Sequence, residues 1–255
     1  DKRSFFVKLS SAERLAMFEA EAAGLAAIIA SNSLRAPRPV AWGVAEGHSW
    51  LALEFIEFTS ASASTSALLG ERLAAMHRHS ADEFGWDRDN TIGSTPQPNP
   101  ATNDWISFFG EQRLGFQLTL AARNSAPPPL LRLGQQLLAE LPALFGAHRP
   151  QASLLHGDLW GGNWAADTEG MPVIFDPAVY FGDREADLAM TELFGGFNSD
   201  FYAAYNAAWP LDPGYSARKR LYNLYHILNH FNLFGGSYAL QAEHVIKELL
   251  ADLTP

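Results

Sequence analysis

The sequence predicts an α+β fold of two unequal lobes, and three observations carry the prediction. Strand-like segments dominate only the first 57 residues, four helical stretches follow Glu185, and a polar, glycine-containing loop lies between short apolar runs at 153–176. We divide the chain accordingly: residues 1–57 as a small β-containing N-lobe and residues 58–255 as a large, mostly helical C-lobe. With 47% hydrophobic and 12% aromatic residues, 255 residues can bury a sizeable core.

In chain order, Phe5-Phe6-Val7-Lys8 reads as the middle of a strand although the sequence opens at Asp1, so an earlier segment is expected. Leu15, Phe18, Ala22, Leu25 and Ile29 fall on one helical face, with Ser10 or Ser11 as cap. Strands follow at Val40–Val44 and Trp50–Ile56, joined by a turn at Glu46-Gly47. A helix is expected through Leu68, Leu69, Leu73 and Met76. The Asn-, Asp-, Gly- and Pro-rich stretch 86–100 reads as a loop, and Asp104–Arg123 as one continuous helix. Helices are expected near 130–145, 185–195, 198–208, 216–234 and 239–253.

Composition narrows the function classes. A net charge of −10 disfavours nucleic acid and anionic membrane as partners, because both are held through basic surfaces. No membrane-spanning run is present, and the Ala-rich segment Ala22–Ala30 reads as a packed helix. The absence of cysteine excludes thiol nucleophiles and cysteine zinc sites, and is compatible with a cytoplasmic setting.

The chemistry concentrates in His156-Gly157-Asp158-Leu159-Trp160-Gly161-Gly162-Asn163 and in Asp176, thirteen residues past that asparagine. The His-x-Asp, and the Asn five residues past the Asp, match the spacing of a protein-kinase catalytic loop. Asp176-Pro177 stands where kinases carry Asp-Phe-Gly. A hydroxyl nucleophile must be oriented and lose its proton, which suits Asp158. Mg²⁺ prefers hard oxygen ligands and keeps several waters, which suits Asn163 and Asp176. His156 is expected to brace the loop, and Asp187 either to brace it or to sit as an ordinary carboxylate at a helix start. The bland alternative for the motif is a turn whose Asp and Asn bond their own backbone.

Upstream, Lys8 on its strand is placed to bind phosphate. Glu19 and Glu21 compete to position it, and the helical wheel does not separate them. Backbone groups at Glu54 and Ile56, at the end of the second hairpin strand, would meet adenine in ATP.

With these residues in hand, the chain resembles the fructosamine kinase (ketosamine-3-kinase) family, relatives of aminoglycoside and choline phosphotransferases with a protein-kinase-like fold. Asn90-Thr91-Ile92-Gly93, Pro96-Gln97-Pro98-Asn99, Asp104-Trp105, Phe175–Tyr180 and Arg184–Phe197 carry the likeness alongside Trp160-Gly161-Gly162-Asn163. The resemblance implies ATP- and Mg²⁺-dependent phosphorylation of the sugar 3-hydroxyl of ketosamines, after which the adduct decomposes and frees the amine. It also implies that Glu21 partners Lys8 and that Trp160 lines the sugar pocket. The family's Gly-rich strand-turn-strand before the lysine strand has no counterpart here, so the N-lobe is expected to be partial. The rival readings are a kinase of an aminoglycoside- or choline-like alcohol and a nucleotide-binding pseudokinase.

Overall fold

The computed structural model describes residues 3–253; Asp1, where the expected truncation falls, lies outside them. Three antiparallel strands, β1 (Phe5–Ser11), β2 (Pro39–Ala45) and β3 (His48–Glu54), form a sheet in the order β1-β3-β2. Glu46 and Gly47 both hold positive φ, which matches the twist of a tight β2–β3 hairpin and brings Ala45 opposite His48. Period-two alternation along β3 buries Ser49, Leu51 and Leu53.

Helix α1 (Leu15–Ala30) covers the inner face of this sheet with Phe18, Ala22, Leu25 and Ile28. Ile28 takes the place expected of Ile29. The expected serine cap is also corrected. Strand β1 continues through Ser11, a 3-10 turn at Ala12–Arg14 intervenes, and no side chain caps α1. The Ser11 carbonyl instead accepts a bond from Ser49 Oγ at 2.7 Å.

Beyond a two-residue strand β4 (Phe58–Thr59), α2 (Ala63–His77) opens on a reciprocal Ser62–Thr65 capping box. The stretch read as a loop contains a hairpin, β5 (Asn90–Ile92) with β6 (Thr95–Gln97). The single helix expected at Asp104–Arg123 is three consecutive pieces: α3 (Trp105–Phe108), a π-helical segment Phe109–Gly115, and α4 (Phe116–Arg123). Asp104 caps the first piece, accepting from Ile106 N at 3.0 Å.

Helix α5 (Pro128–Phe145) leads into β7 (Ser153–Leu155), β8 (Trp164–Asp167), β9 (Pro172–Ile174) and β10 (Tyr180–Gly182). Four helices close the chain: α6 (Glu185–Leu193), α7 (Ser199–Ala208), α8 (Tyr215–Phe234) and α9 (Tyr238–Ala251). No helix among the described residues is long and apolar enough to cross a membrane.

Two apolar clusters hold these elements. One gathers Trp105, Phe108, Phe109, Phe145 and Tyr222 with the faces of α8 and α9. The other joins α1 and β3 to α2, α7 and the strand residues Leu154 and Ile174. The sheet with Lys8 and the loop after β7 are therefore anchored in one continuous core, which fixes the cleft between them.

Candidate active site

Strand β7 is buried along its length and delivers the loop that begins at His156. Gly157 has φ +81°, and a Cβ there would lie 2.1 Å from the Ala178 carbonyl, so only glycine fits the turn. The fully buried His156 accepts the Asp158 N–H at Nδ1, 3.2 Å away, and donates from Nε2 to the Phe175 carbonyl at 3.0 Å. These two bonds define a neutral Nε2–H ring, and burial holds its pKa below the ordinary histidine value.

Asp187, in the first turn of α6, accepts the amides of His156 at 2.7 Å and Gly157 at 2.8 Å. It also pairs with His77 Nε2 at 3.1 Å, while Tyr205 meets the other His77 nitrogen at 2.8 Å. Burial alone would raise the Asp187 pKa, but these partners outweigh it and hold the carboxyl below its usual range.

Asp158 stands at the mouth of this loop. Asn163 Nδ2 donates to its carbonyl at 2.8 Å and to its carboxylate at 3.3 Å. The Asn163 Oδ1 is thereby the amide atom left to face a ligand. Burial pushes the Asp158 carboxyl up to about 7; the Asn163 bond opposes this, and the charges of Asp187 and Asp176 add to it.

Across the cleft, Lys8 Nζ lies 2.7 Å from Glu21 Oε1 and 2.7 Å from Asp176 Oδ1. Glu19 is exposed and plays no part in this contact. Burial lowers the Lys8 pKa, yet its two carboxylate partners raise it further, so the ammonium stays charged. Burial dominates at Glu21 and lifts its pKa despite Lys8. Asp176 adopts φ +56°, unusual for a residue with a side chain, and keeps its carboxylate 45% exposed.

Lys8, Glu21, Asp158, Trp160, Asn163 and Asp176 all line one cavity of about 600 Å³. A second hollow of about 360 Å³ lies between Leu53–Phe58 and Phe175, with Phe58 and Phe175 stacked 5.2 Å apart. Glu54 and Ile56 border it. The Glu54 N–H is committed to the Arg38 carbonyl at 2.8 Å, so of its backbone groups only the carbonyl can serve a ligand there.

Trp160 is 41% exposed at the cleft and is not packed into the core. Its indole lies over Gly162, where a Cβ would come within 2.3 Å of the ring. That contact accounts for the glycine before Asn163.

Several supporting residues went unassigned in the sequence. The β5–β6 hairpin holds the segment after Asp176: Asn90 Nδ2 donates to the Val179 carbonyl at 2.7 Å and Gln97 Nε2 to the Ala178 carbonyl at 3.1 Å. Tyr225 donates to Gln97 Oε1 at 2.6 Å. The fully buried Arg113 donates to Asn99 Oδ1 and the Pro98 carbonyl, both at 2.7 Å, and lies 4.0 Å over the Tyr180 ring. Asn90, Gln97 and Asn99 stood out only as part of the family likeness, because burial is invisible in a Pro-rich stretch, and Arg113 and Tyr225 lie within helical segments where no spacing marks them.

Comparison with known proteins covers nearly the whole chain. The family described as fructosamine kinase matches residues 1–252. A Synechocystis protein named "probable ketoamine kinase" is 50% identical over 252 residues, spanning 98% of this chain and 84% of its own. A rice protein named protein-ribulosamine 3-kinase, chloroplastic, is 44% identical over 98% of this chain and 73% of its own length. A crystal structure assigned as a fructosamine-3-kinase from Haemophilus somnus superposes with a TM-score of 0.90 at 33% identity, covering 98% of this chain and 84% of that one. The likeness extends at the level of fold to the choline kinase LicA of Streptococcus pneumoniae, at a TM-score of 0.59 and 14% identity over 98% and 87% of the two chains. The fold is protein-kinase-like.

Proposed function

The chain belongs to the fructosamine kinase family, and from that premise we propose that it transfers the γ-phosphoryl group of ATP to the sugar 3-hydroxyl of a ketosamine. One observation carries the reading: the Lys8–Glu21–Asp176 cluster and the Asp158–Asn163 pair line the same cavity. Names among its relatives include ketoamine and ribulosamine kinases, which favours sugar–amine adducts as acceptors.

In this reading Asp158 orients the acceptor hydroxyl and takes its proton as the new O–P bond forms. The bond from the γ-phosphorus to the bridging oxygen breaks, and ADP leaves with that oxygen. Lys8, positioned by Glu21, binds the phosphates and offsets their charge. Asn163 holds the Asp158 carboxylate through its amide N–H. Adenine occupies the apolar slot between Phe175 and the Leu53–Phe58 segment, meeting the backbone at Glu54 and Ile56.

The donor set fits Mg²⁺: the Asn163 amide oxygen and the exposed Asp176 carboxylate are hard oxygens facing one cavity. Bound there, the ion supplies charge neutralisation on the triphosphate. The acceptor is a small molecule or a glycated lysine.

The test is a panel of ribuloselysine, fructoselysine, choline and kanamycin with Mg-ATP, followed as ADP release. Ketosamines are expected to turn over, and Asp158→Ala to lose about 10²–10⁴-fold in kcat with unchanged circular dichroism. Turnover of kanamycin alone would overturn the acceptor assignment, and an active Asp158→Ala the role of the base.

A further inference from the structure

Two cavities meet at Asp158. The first carries Lys8 and Asp176; the second, about 370 Å³, shares Gly93, Asp158 and Trp160 with it and extends away between α6 and α8. Phe194, His230, Leu233, Phe234 and Tyr238 line its far part. Among the described residues, Asp158 is the sole carboxylate on its walls, and no lysine or arginine faces it. The His230 ring is packed among aromatic neighbours, with centroids 4.8 Å from Phe194, 5.2 Å from Tyr238 and 5.6 Å from Phe234. Its Nδ1–H donates to the His226 carbonyl at 2.8 Å, which fixes the ring. His226 itself is buried, its pKa pushed down to about 3 chiefly by that burial, so it is neutral. Yet Phe234 is 68% exposed and Phe194 42% exposed. Two large apolar faces thus remain open to water beside the reactive site.

We infer that this aromatic groove receives the amine substituent of the acceptor and selects apolar, above all aromatic, substituents over cationic ones. The inference rests on the ketosamine-kinase reading. If the sugar hydroxyl meets Asp158 and the γ-phosphate arrives from the Lys8 side, the rest of the acceptor must leave through the other opening. There a ring covers Phe194 and Phe234 and removes apolar surface from water on both sides. A terminal ammonium gains less, because exposed rings attract a hydrated cation only weakly and no carboxylate beyond Asp158 can pair with it.

The experiment compares three ribulose adducts that share one sugar: those of benzylamine, methylamine and 1,4-diaminobutane. Each is assayed with the full chain and Mg-ATP. We expect kcat/KM for the benzylamine adduct to exceed that for the diaminobutane adduct by about tenfold or more, mainly through KM. Phe234→Ala, at an exposed position, should cut the benzylamine-to-methylamine ratio of kcat/KM about tenfold. Equal kcat/KM for all three adducts overturns the inference while leaving the kinase reading intact. So does a ratio unmoved by both Phe234→Ala and Phe194→Ala. Failure to phosphorylate any of the adducts sinks the kinase reading, and this inference with it.

Discussion

Beneath Asp158 the polar partners are buried, whereas across the cleft Lys8 and Asp176 stay within reach of water. Asp187 is 1% exposed and bonds two loop amides and a histidine; the Asp176 carboxylate is 45% exposed and, among the described residues, bonds only Lys8. The difference separates two demands. A base must sit at one place before any ligand arrives, so its loop is fixed from below by groups that water cannot reach. Groups proposed to receive phosphate and metal must exchange partners, and a half-open ion pair exchanges cheaply because solvent already screens it.

The sharpest way to break this contrast is Asp187→Ala. It leaves two loop amides and His77 without their carboxylate, and should cost about 3–5 kcal/mol of folding stability, read as a lower urea midpoint. An unchanged midpoint would mean the floor is not the rigid half. Lys8→Met tests the other half. Activity should fall about 10²–10³-fold. Stability should move by less than about 1 kcal/mol, since the Lys8 and Asp176 side chains are 22% and 45% exposed and solvent already screens their pairing. A large loss of stability would make Lys8 part of the scaffold.

The smallest effect is on pH dependence. Asp158 is pushed up to about 7, so the free protein holds this proposed base protonated below that value. The profile of kcat/KM should therefore rise with pH and level off above about 7, changing up to tenfold per pH unit on the acid limb. The same burial makes the native state bind that proton more tightly than the unfolded chain does. This group's contribution to stability accordingly declines as pH climbs from about 4 to about 7. A profile already flat at pH 5 would show a carboxylate that is not buried in solution.

Much of the cleft could be read from spacing, because the chemistry demands particular residue types at short intervals along one loop. His156, Asp158, Asn163 and Asp176 fall into that class. The choice between Glu19 and Glu21 did not, because both flank one helical face; with α1 packed on β2 and β3, Glu21 meets Lys8 and Glu19 stays in solvent. The hairpin at Asn90–Gln97 escaped because its strands are three residues long and contain Pro96, so its support comes from buried amides rather than β-propensity. The π-helical segment escaped because one widened turn barely disturbs a helical repeat. His77 and Tyr205 lie 128 residues apart, and only the packing of α2 against α7 makes them one unit with Asp187.

The indole resting on Gly162 has a practical consequence. An indole two-fifths in water emits at longer wavelength than a covered one, so Trp160 is a built-in optical reporter. An acceptor that covers it should shift its fluorescence to the blue, while a nucleoside confined to the Phe175 slot should not. With Trp42→Phe removing the other large exposed indole, on β2, a blue shift on adding acceptor can be followed over the emission of the five less exposed tryptophans.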